Sequence, residues 1–328
     1  MSAPSSAVTP DLAVSLGPVR LDHPVMNASG TFDVLAASEV LGRDYVHDFP
    51  FCAYVPKTVT PEPRPGNAPP RLTETASGVV NAIGLANPGV AAFLAELPLL
   101  SGLRQPVIVS VGGSRPEDYL EVLRRIERTL AAAPSGSMPD VAGYELNVSC
   151  PNVARGGMSI GTDPAETARL VGAARRLTGR LLVVKLTPNV AAVAPVAAAA
   201  EAAGADVLSL VNTFKALVID PATLRAFLGN RTGGLCGPAI KPIALRMVAE
   251  VCQAVAVPVI GMGGIVSGCD VLEYVSCGAT AVAIGAAIFA DPLAPERIVA
   301  ELAAEMTARG LARLESLRGR ALEPSGRS

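Results

Sequence analysis

Short apolar runs rich in Val, Ile and Leu recur along the chain, at 25–28, 53–56, 107–111, 143–148, 181–186, 206–211, 258–262 and 280–284. Each reads as a strand buried on both faces, because polar alternation is missing and the runs are too short for packed helices. Helical patterns lie between most of them. Residues 118–130 carry Leu120, Leu123, Ile126 and Leu130 at helical spacing, and 162–177 opens on Thr162-Asp-Pro164, a helix start. Segments 242–254 and 295–309 behave alike. Alternation of buried strands with helices predicts a parallel sheet.

Two architectures satisfy that alternation, a (β/α)8 TIM barrel and an open doubly wound sheet. Small, polar or charged residues follow every apolar run: Asn27 to Gly30, Lys57-Thr58, Ser110 to Gly113, Asn147 to Cys150, Lys185, Asn212-Thr213, Gly263-Gly264 and Gly285-Ala286. A barrel gathers all of these on one face, whereas an open sheet scatters several. No G-x-G-x-x-G follows the first run, so the α/β class is read as a TIM barrel. The segment 12–21, turned at Gly17-Pro18, predicts an N-terminal hairpin placed to plug the far end. Segments 60–89 and 214–242 exceed ordinary connections and are expected to be active-site loops. Residues 1–10 are read as a disordered lead, 11–315 as a single domain and 316–328 as a flexible tail.

Composition narrows the function classes. Half of the 328 residues are hydrophobic, 17% are charged and the formal net charge is −2, which gives a large core and no basic nucleic-acid surface. The apolar stretches are broken by Pro, Glu and Asp, so no membrane span is expected. The polar, Ser/Pro-rich start lacks the pattern of a signal peptide, and the expected location is cytoplasmic. None of the six cysteines forms a Cys-x-x-Cys pair, so no metal or iron–sulfur site is expected from this chain alone.

Candidate chemistry sits at the strand ends. The glycines after the last two runs supply backbone N–H donors where barrels commonly hold a phosphate, although glycines of this kind also make plain tight turns. Lys57 and Lys185 close apolar strands, where a buried ammonium needs a partner: either an acidic residue or an electron-rich, anionic ligand such as a flavin. In Asn147-Val-Ser-Cys-Pro-Asn152, alternation puts Asn147 and Ser149 on one face and leaves Cys150 at the start of a loop. The only histidines are His23 and His47, both early. A thiolate at Cys150 is therefore the candidate base.

These segments, with Ala28-Ser-Gly-Thr-Phe32, Glu74-Thr-Ala-Ser-Gly78, Asn81-Ala-Ile-Gly-Leu-Ala-Asn-Pro-Gly89, Gly161-Thr-Asp-Pro164, Lys185-Leu-Thr-Pro-Asn189, Gly237-Pro-Ala-Ile-Lys-Pro242 and Gly261-Met-Gly-Gly264, resemble the dihydroorotate dehydrogenase family, class 1B catalytic subunit. The resemblance runs from about Asn27 to Pro292. It implies oxidation of dihydroorotate to orotate in pyrimidine biosynthesis, with FMN as hydride acceptor and Cys150 as general base. It implies FMN contacts from Ser29, Lys57, Thr58, Asn147, Lys185, Val211, Gly237, Gly263, Gly264, Gly285 and Ala286. The pyrimidine pocket would be lined by Lys57, Asn81, Ala82, Ile83, Gly84, Leu85, Asn147, Asn152, Asn212 and Thr213. A homodimer and an electron-transfer subunit carrying FAD and a [2Fe–2S] cluster, passing electrons to NAD, are implied partners; direct reoxidation by fumarate is the alternative. The chain departs from the family pattern at Ser110, Cys236, Ala286 and the Phe214-Lys-Ala216 loop. Two other functions compete: a dihydropyrimidine dehydrogenase subunit acting on uracil or thymine, and a non-catalytic flavin- or phosphate-binding barrel.

Overall fold

The computed structural model describes residues 9–149 and 160–323. The chain opens on a hairpin, β1 (Val14–Leu16) and β2 (Val19–Leu21), which buries Leu16 and Leu21. Its turn at Gly17 lies against Leu181, the first residue of a barrel strand, so the hairpin covers the N-terminal end of the barrel. There follow β3 (Val25–Asn27), α1 (Val34–Leu41), β4 (Leu72–Thr75), β5 (Gly78–Asn81), α2 (Gly89–Glu96), β6 (Val107–Val111), α3 (Pro116–Ala132), β7 (Val141–Asn147), α4 (Pro164–Arg175), β8 (Leu181–Lys185), α5 (Ala194–Ala202) and β9 (Val207–Leu210). The second half continues with β10 (Phe214–Leu217), β11 (Ile219–Asp220), β12 (Arg225–Ala226), β13 (Thr232–Cys236), α6 (Lys241–Ala254), β14 (Val259–Met262), α7 (Gly268–Ser276), β15 (Ala281–Ile284), α8 (Ala286–Ala290) and α9 (Ala294–Ala308).

Seven strands make one parallel sheet in the order β3-β15-β14-β9-β8-β7-β6, which is chain order read around a ring. The eighth place, between β3 and β6, belongs to residues 52–59. Cys52 N–H donates to Val25 O at 3.0 Å on one side; on the other, Tyr54 N–H donates to Pro106 O at 3.0 Å and Val59 N–H to Ser110 O at 2.8 Å. The expected strand at 53–56 is thus present as a place in the ring, but its pairing is reduced to isolated bridges at Tyr54 and Val59. Pro56 has no N–H to give, and beside it the Asn27 side chain bonds Val55 where a peptide group would. The fold is a TIM-barrel-like α/β architecture, its strands buried on both faces as parallel sheets require.

The four helices read from periodicity are α3, α4, α6 and α9, with ends within two residues of expectation. In α3 the fully buried side chains are Tyr119, Val122, Leu123 and Ile126, while Leu120 and Leu130 are only half-buried. The Ala-rich α5 has little contrast between its faces and gives no such signal.

The two long loops are not independent. β5 pairs antiparallel with β13, Val79 opposite Cys236 and Asn81 opposite Gly234, and the four strands β10-β13-β5-β4 form one sheet over the C-terminal end of the barrel. Val80, Ala82 and Leu228 form a small separate core beneath it. The tail expected from 316 is a correction. Leu314 and Leu317 are buried, Gly319 N–H donates to Val275 O at 3.1 Å and Arg318 reaches Thr280 Oγ1 at 3.1 Å, so residues 316–323 are fastened to the barrel. Among the described residues no helix is long and apolar enough to cross a membrane.

Candidate functional site

A cavity of about 560 Å³ opens at the C-terminal ends of the barrel strands, under the antiparallel sheet. Seven of the eight barrel positions give it a short step of polar or small residues, and the end of β6 does not line it. β3 runs into Ser29 and Gly30, the segment after Val55 brings Lys57 and Thr58, β7 ends at Asn147 and β8 at Lys185. Val211, Asn212 and Thr213 follow β9, Gly263 and Gly264 follow β14, and Gly285 and Ala286 follow β15. The covering sheet adds Asn81 and its successors Ala82, Ile83, Gly84 and Leu85, and Gly237 closes the wall. Every described residue expected to touch cofactor or substrate therefore lines this one cavity. Cys150 and Asn152 lie outside the described residues.

The polar walls are tied together. Lys185 is 4% exposed and donates to Ser29 Oγ at 3.0 Å. Lys57 lies across Gly30 so closely that a Cβ there would stand 2.6 Å from its Cδ and 2.9 Å from its Nζ. Asn147 Nδ2 donates to Thr58 Oγ1 at 3.0 Å, Ser149 Oγ donates to Asn147 Oδ1 at 2.6 Å, and Asn212 Nδ2 donates to Ser149 Oγ at 2.6 Å. Tyr119 donates its hydroxyl to the Asn147 carbonyl at 3.0 Å and pins the strand end from outside the ring.

Glycine turns bound the opposite wall. Gly264 has φ +74°, and a Cβ on it would lie 2.9 Å from Gly237 O, so only a bare backbone lets these two turns touch. Tyr274 donates to Gly263 O at 2.7 Å. Behind the turn, Asp270 accepts from Val266 N–H, Ser267 N–H and Ser267 Oγ, each at 2.9 Å, and pairs with Lys241. Burial disfavours ionised Asp270, but the Lys241 hydrogen bond and these donors hold its carboxyl below the usual range.

On the covering sheet, Leu85 has φ +57°, an uncommon left-handed conformation for a branched side chain. Asn87 holds it there by donating to Leu85 O at 2.8 Å while its Oδ1 accepts from Gly89 N–H at 2.9 Å. Cys236 also faces the cavity; its thiol donates to Val79 O at 3.3 Å, and burial pushes its pKa up against hydrogen bonds with Asn81 and Val79.

Sequence reasoning missed several wall residues. Lys215 and Asn189 stand at the rim, where Asn189 Oδ1 accepts from Lys215 N–H at 2.9 Å. It also missed Glu145, a carboxylate inside an otherwise apolar strand and only 4% exposed. The signal was available: a charge in the middle of a buried run needs a reason.

Residues 11–306 match the family model Dihydroorotate dehydrogenase. The chain belongs to the dihydroorotate dehydrogenase family. It is 46% identical over 314 residues to a Pelobacter propionicus protein named dihydroorotate dehydrogenase B (NAD(+)), catalytic subunit, covering 94% of this chain and 98% of that one. It is also 46% identical over 313 residues, 95% of this chain and 99% of the other, to a Solibacter usitatus protein provisionally named dihydroorotate dehydrogenase A (fumarate). A crystal structure from Eimeria tenella, described as DHODH in complex with ferulenol, has the same fold, with TM-score 0.76 at 21% identity over 99% of this chain and 92% of that one. As a dihydroorotate dehydrogenase family member, the chain is an oxidoreductase.

Proposed function

We propose that this chain oxidises dihydroorotate to orotate with FMN bound in the barrel-end cavity and Cys150 as the general base. The observation that carries this reading is the convergence of Lys57, Lys185, Asn147 and Asn212 on one cavity whose far wall is made of glycine turns. The residues fit the cofactor. The cavity lies in the size range of small-ligand sites, two ammonium groups suit an anionic ring, and the backbone of Gly263, Gly264, Gly285 and Ala286 suits a phosphate. FMN, when bound, supplies the acceptor for the hydride that leaves C6 of the substrate.

The chain's own residues do the rest. Asn147, Asn212, Asn81 and the segment through Leu85 offer both donors and acceptors to the amides of a pyrimidine ring. Asn152 and Thr213 complete that pocket, and Lys57 offsets the substrate carboxylate. Ser29, Thr58, Lys185, Val211 and Gly237 hold the cofactor side. Cys150 takes the proton from C5. Among the described residues the cavity thiol is Cys236, which donates to Val79 O and whose pKa burial raises; this supports giving the base to Cys150.

The partner assignment follows the same reading: a homodimer of this chain, in the cytoplasm, docked with an electron-transfer subunit that carries FAD and a [2Fe–2S] cluster and reduces NAD. The name of the Pelobacter propionicus relative, a catalytic subunit, supports it.

Anaerobic titration tests the core of the proposal. The purified chain is expected to be yellow, to release FMN on acid extraction and to bleach with dihydroorotate but not with dihydrouracil. Release of FAD, absence of flavin from folded protein, or no bleaching by dihydroorotate counts against it.

A further inference from the structure

The barrel interior holds a carboxylate that the reaction above does not use. Glu145 lies within β7 between Ser110 on β6 and Ser209 on β9, both fully buried. Ser110 Oγ donates to Glu145 Oε1 at 3.0 Å, and Ser209 Oγ donates to Oε2 at 3.3 Å. Both bonds run from a hydroxyl to the carboxylate, and each hydroxyl has a single proton. These two facts set the direction of every bond beyond Glu145.

Ser110 gives its proton to Glu145, so Thr58 must be the donor in the 3.0 Å contact between Thr58 Oγ1 and Ser110 Oγ. Thr58 then has no proton left and accepts from Asn147 Nδ2 at 3.0 Å. Asn147 Oδ1 is thereby turned toward Ser149, which donates to it at 2.6 Å. Ser149 in turn accepts from Asn212 Nδ2 at 2.6 Å, and Asn212 Oδ1 receives Thr213 N–H at 2.9 Å. The buried carboxylate thus orders the Asn147 amide from one end of the chain, and the Thr213 N–H orders Asn212 from the other.

We propose that Glu145 is a positioning residue: by anchoring this one-way chain through Ser110 and Thr58, it fixes which end of Asn147, beside Asn212, serves as donor and which as acceptor to the bound ring. The proposal rests on the reading that a pyrimidine binds beside those two asparagines. A ring amide presents N–H and C=O at fixed places, so an asparagine turned end for end sets donor against donor. Ser209 supplies an internal control. It is as buried as Ser110 and bonds the same carboxylate, yet its bond leads away from the asparagines.

The test compares Ser110→Ala with Ser209→Ala in the FMN-loaded protein. Orotate affinity is read from the flavin absorption change, kcat and KM from dye-linked turnover, and folding from thermal melting. Both variants lose one hydrogen bond to Glu145, so both are expected to melt lower by similar amounts. Ser110→Ala alone is expected to weaken orotate binding, by roughly ten- to a hundred-fold, and to raise KM. Equal loss of affinity in the two variants, or unchanged affinity in Ser110→Ala, overturns the proposal. If Ser110→Ala does not fold, Glu145→Gln carries the test: its amide can donate to Ser110 and let the chain run backwards as far as Asn147, so weaker orotate binding is expected and wild-type affinity overturns the proposal. Failure of the wild-type holoprotein to bind orotate at all overturns the substrate reading and this proposal with it; orotate binding by wild type with an indifferent Ser110→Ala overturns this proposal alone.

Discussion

Asn27 closes the barrel onto Val55 with its side chain: its Nδ2 donates to Val55 O at 2.7 Å and its Oδ1 accepts from Val55 N–H at 2.8 Å. Asn27 is fully buried, so water cannot replace either bond. Asn27→Leu removes both and leaves the Val55 peptide unpaired. The expected cost is about 2–5 kcal/mol, since each buried polar group left without a partner loses about 1–3 kcal/mol. Urea unfolding at an unchanged slope measures it. A loss below about 0.5 kcal/mol, the usual scale of a surface change, shows that the ring closes without this pair.

The same pair explains what could be read in advance. The run at 53–56 announced a strand, and its place in the ring was legible, but nothing in the sequence shows that a side chain from residue 27 replaces part of its ladder. The site steps at Lys57, Asn147 and Lys185 were legible because each polar residue ends an apolar run, and a barrel turns all such ends to one face. The covering sheet was not. Its strands are short and glycine-containing, and Val79 meets Cys236 only through pairing that is remote in sequence; local pattern carries no such information. Glu145 was passed over because its neighbours are apolar and its partners, Ser110 and Ser209, lie on other strands.

Gly30 sets the position of Lys57. It has φ +73°, and a Cβ would stand 2.6 Å from the lysine Cδ. Gly30→Ala must displace the ammonium or strain the turn. The expected result is a folded protein that loses FMN during gel filtration, read as a lower ratio of flavin to protein absorbance. Full flavin retention would detach Lys57 from cofactor binding.

His23 makes stability fall on the acid side. The ring is partly buried, with Nδ1 accepting Val25 N–H at 3.2 Å. Burial lowers its pKa from 6.5 to about 4, against the attraction of Asp22. The folded state therefore holds His23 neutral where the unfolded chain is already protonated. The contribution is complete above pH 6.5 and is lost as pH falls toward 4. His23→Gln, which cannot titrate, is expected to flatten the decline of unfolding free energy across that window. An identical slope in the variant places the titration elsewhere.

Cys150→Ser tests the base. A hydroxyl is a far weaker base than a thiolate of similar size, and loss of a general base typically slows a reaction by about 10²–10⁴-fold. Stopped-flow reduction by dihydroorotate should slow on that scale while flavin content and orotate binding persist. In wild type the rate should climb with pH as the thiol, ordinarily near pKa 8.5, ionises. Reduction at the wild-type rate in the serine variant removes Cys150 from the chemistry.

The electron acceptor divides two relatives that match this chain equally well. One, from Pelobacter propionicus, is named for NAD and called a catalytic subunit; the other, from Solibacter usitatus, is named for fumarate. Fumarate would have to enter the same cavity after orotate leaves, because it needs direct access to the reduced flavin. NAD requires a route outward. This chain has no nicotinamide-binding glycine fingerprint after its first strand, and its six cysteines contain no Cys-x-x-Cys pair; the proposed route to NAD therefore runs through a second protein. The isolated chain, given dihydroorotate, is therefore expected to bleach and stay bleached with NAD alone, to turn over with an artificial dye, and to be slow with fumarate. Adding a subunit that carries FAD and a [2Fe–2S] cluster should restore NAD reduction. Rapid turnover of the isolated chain with fumarate, or with NAD and no second protein, assigns the acceptor the other way.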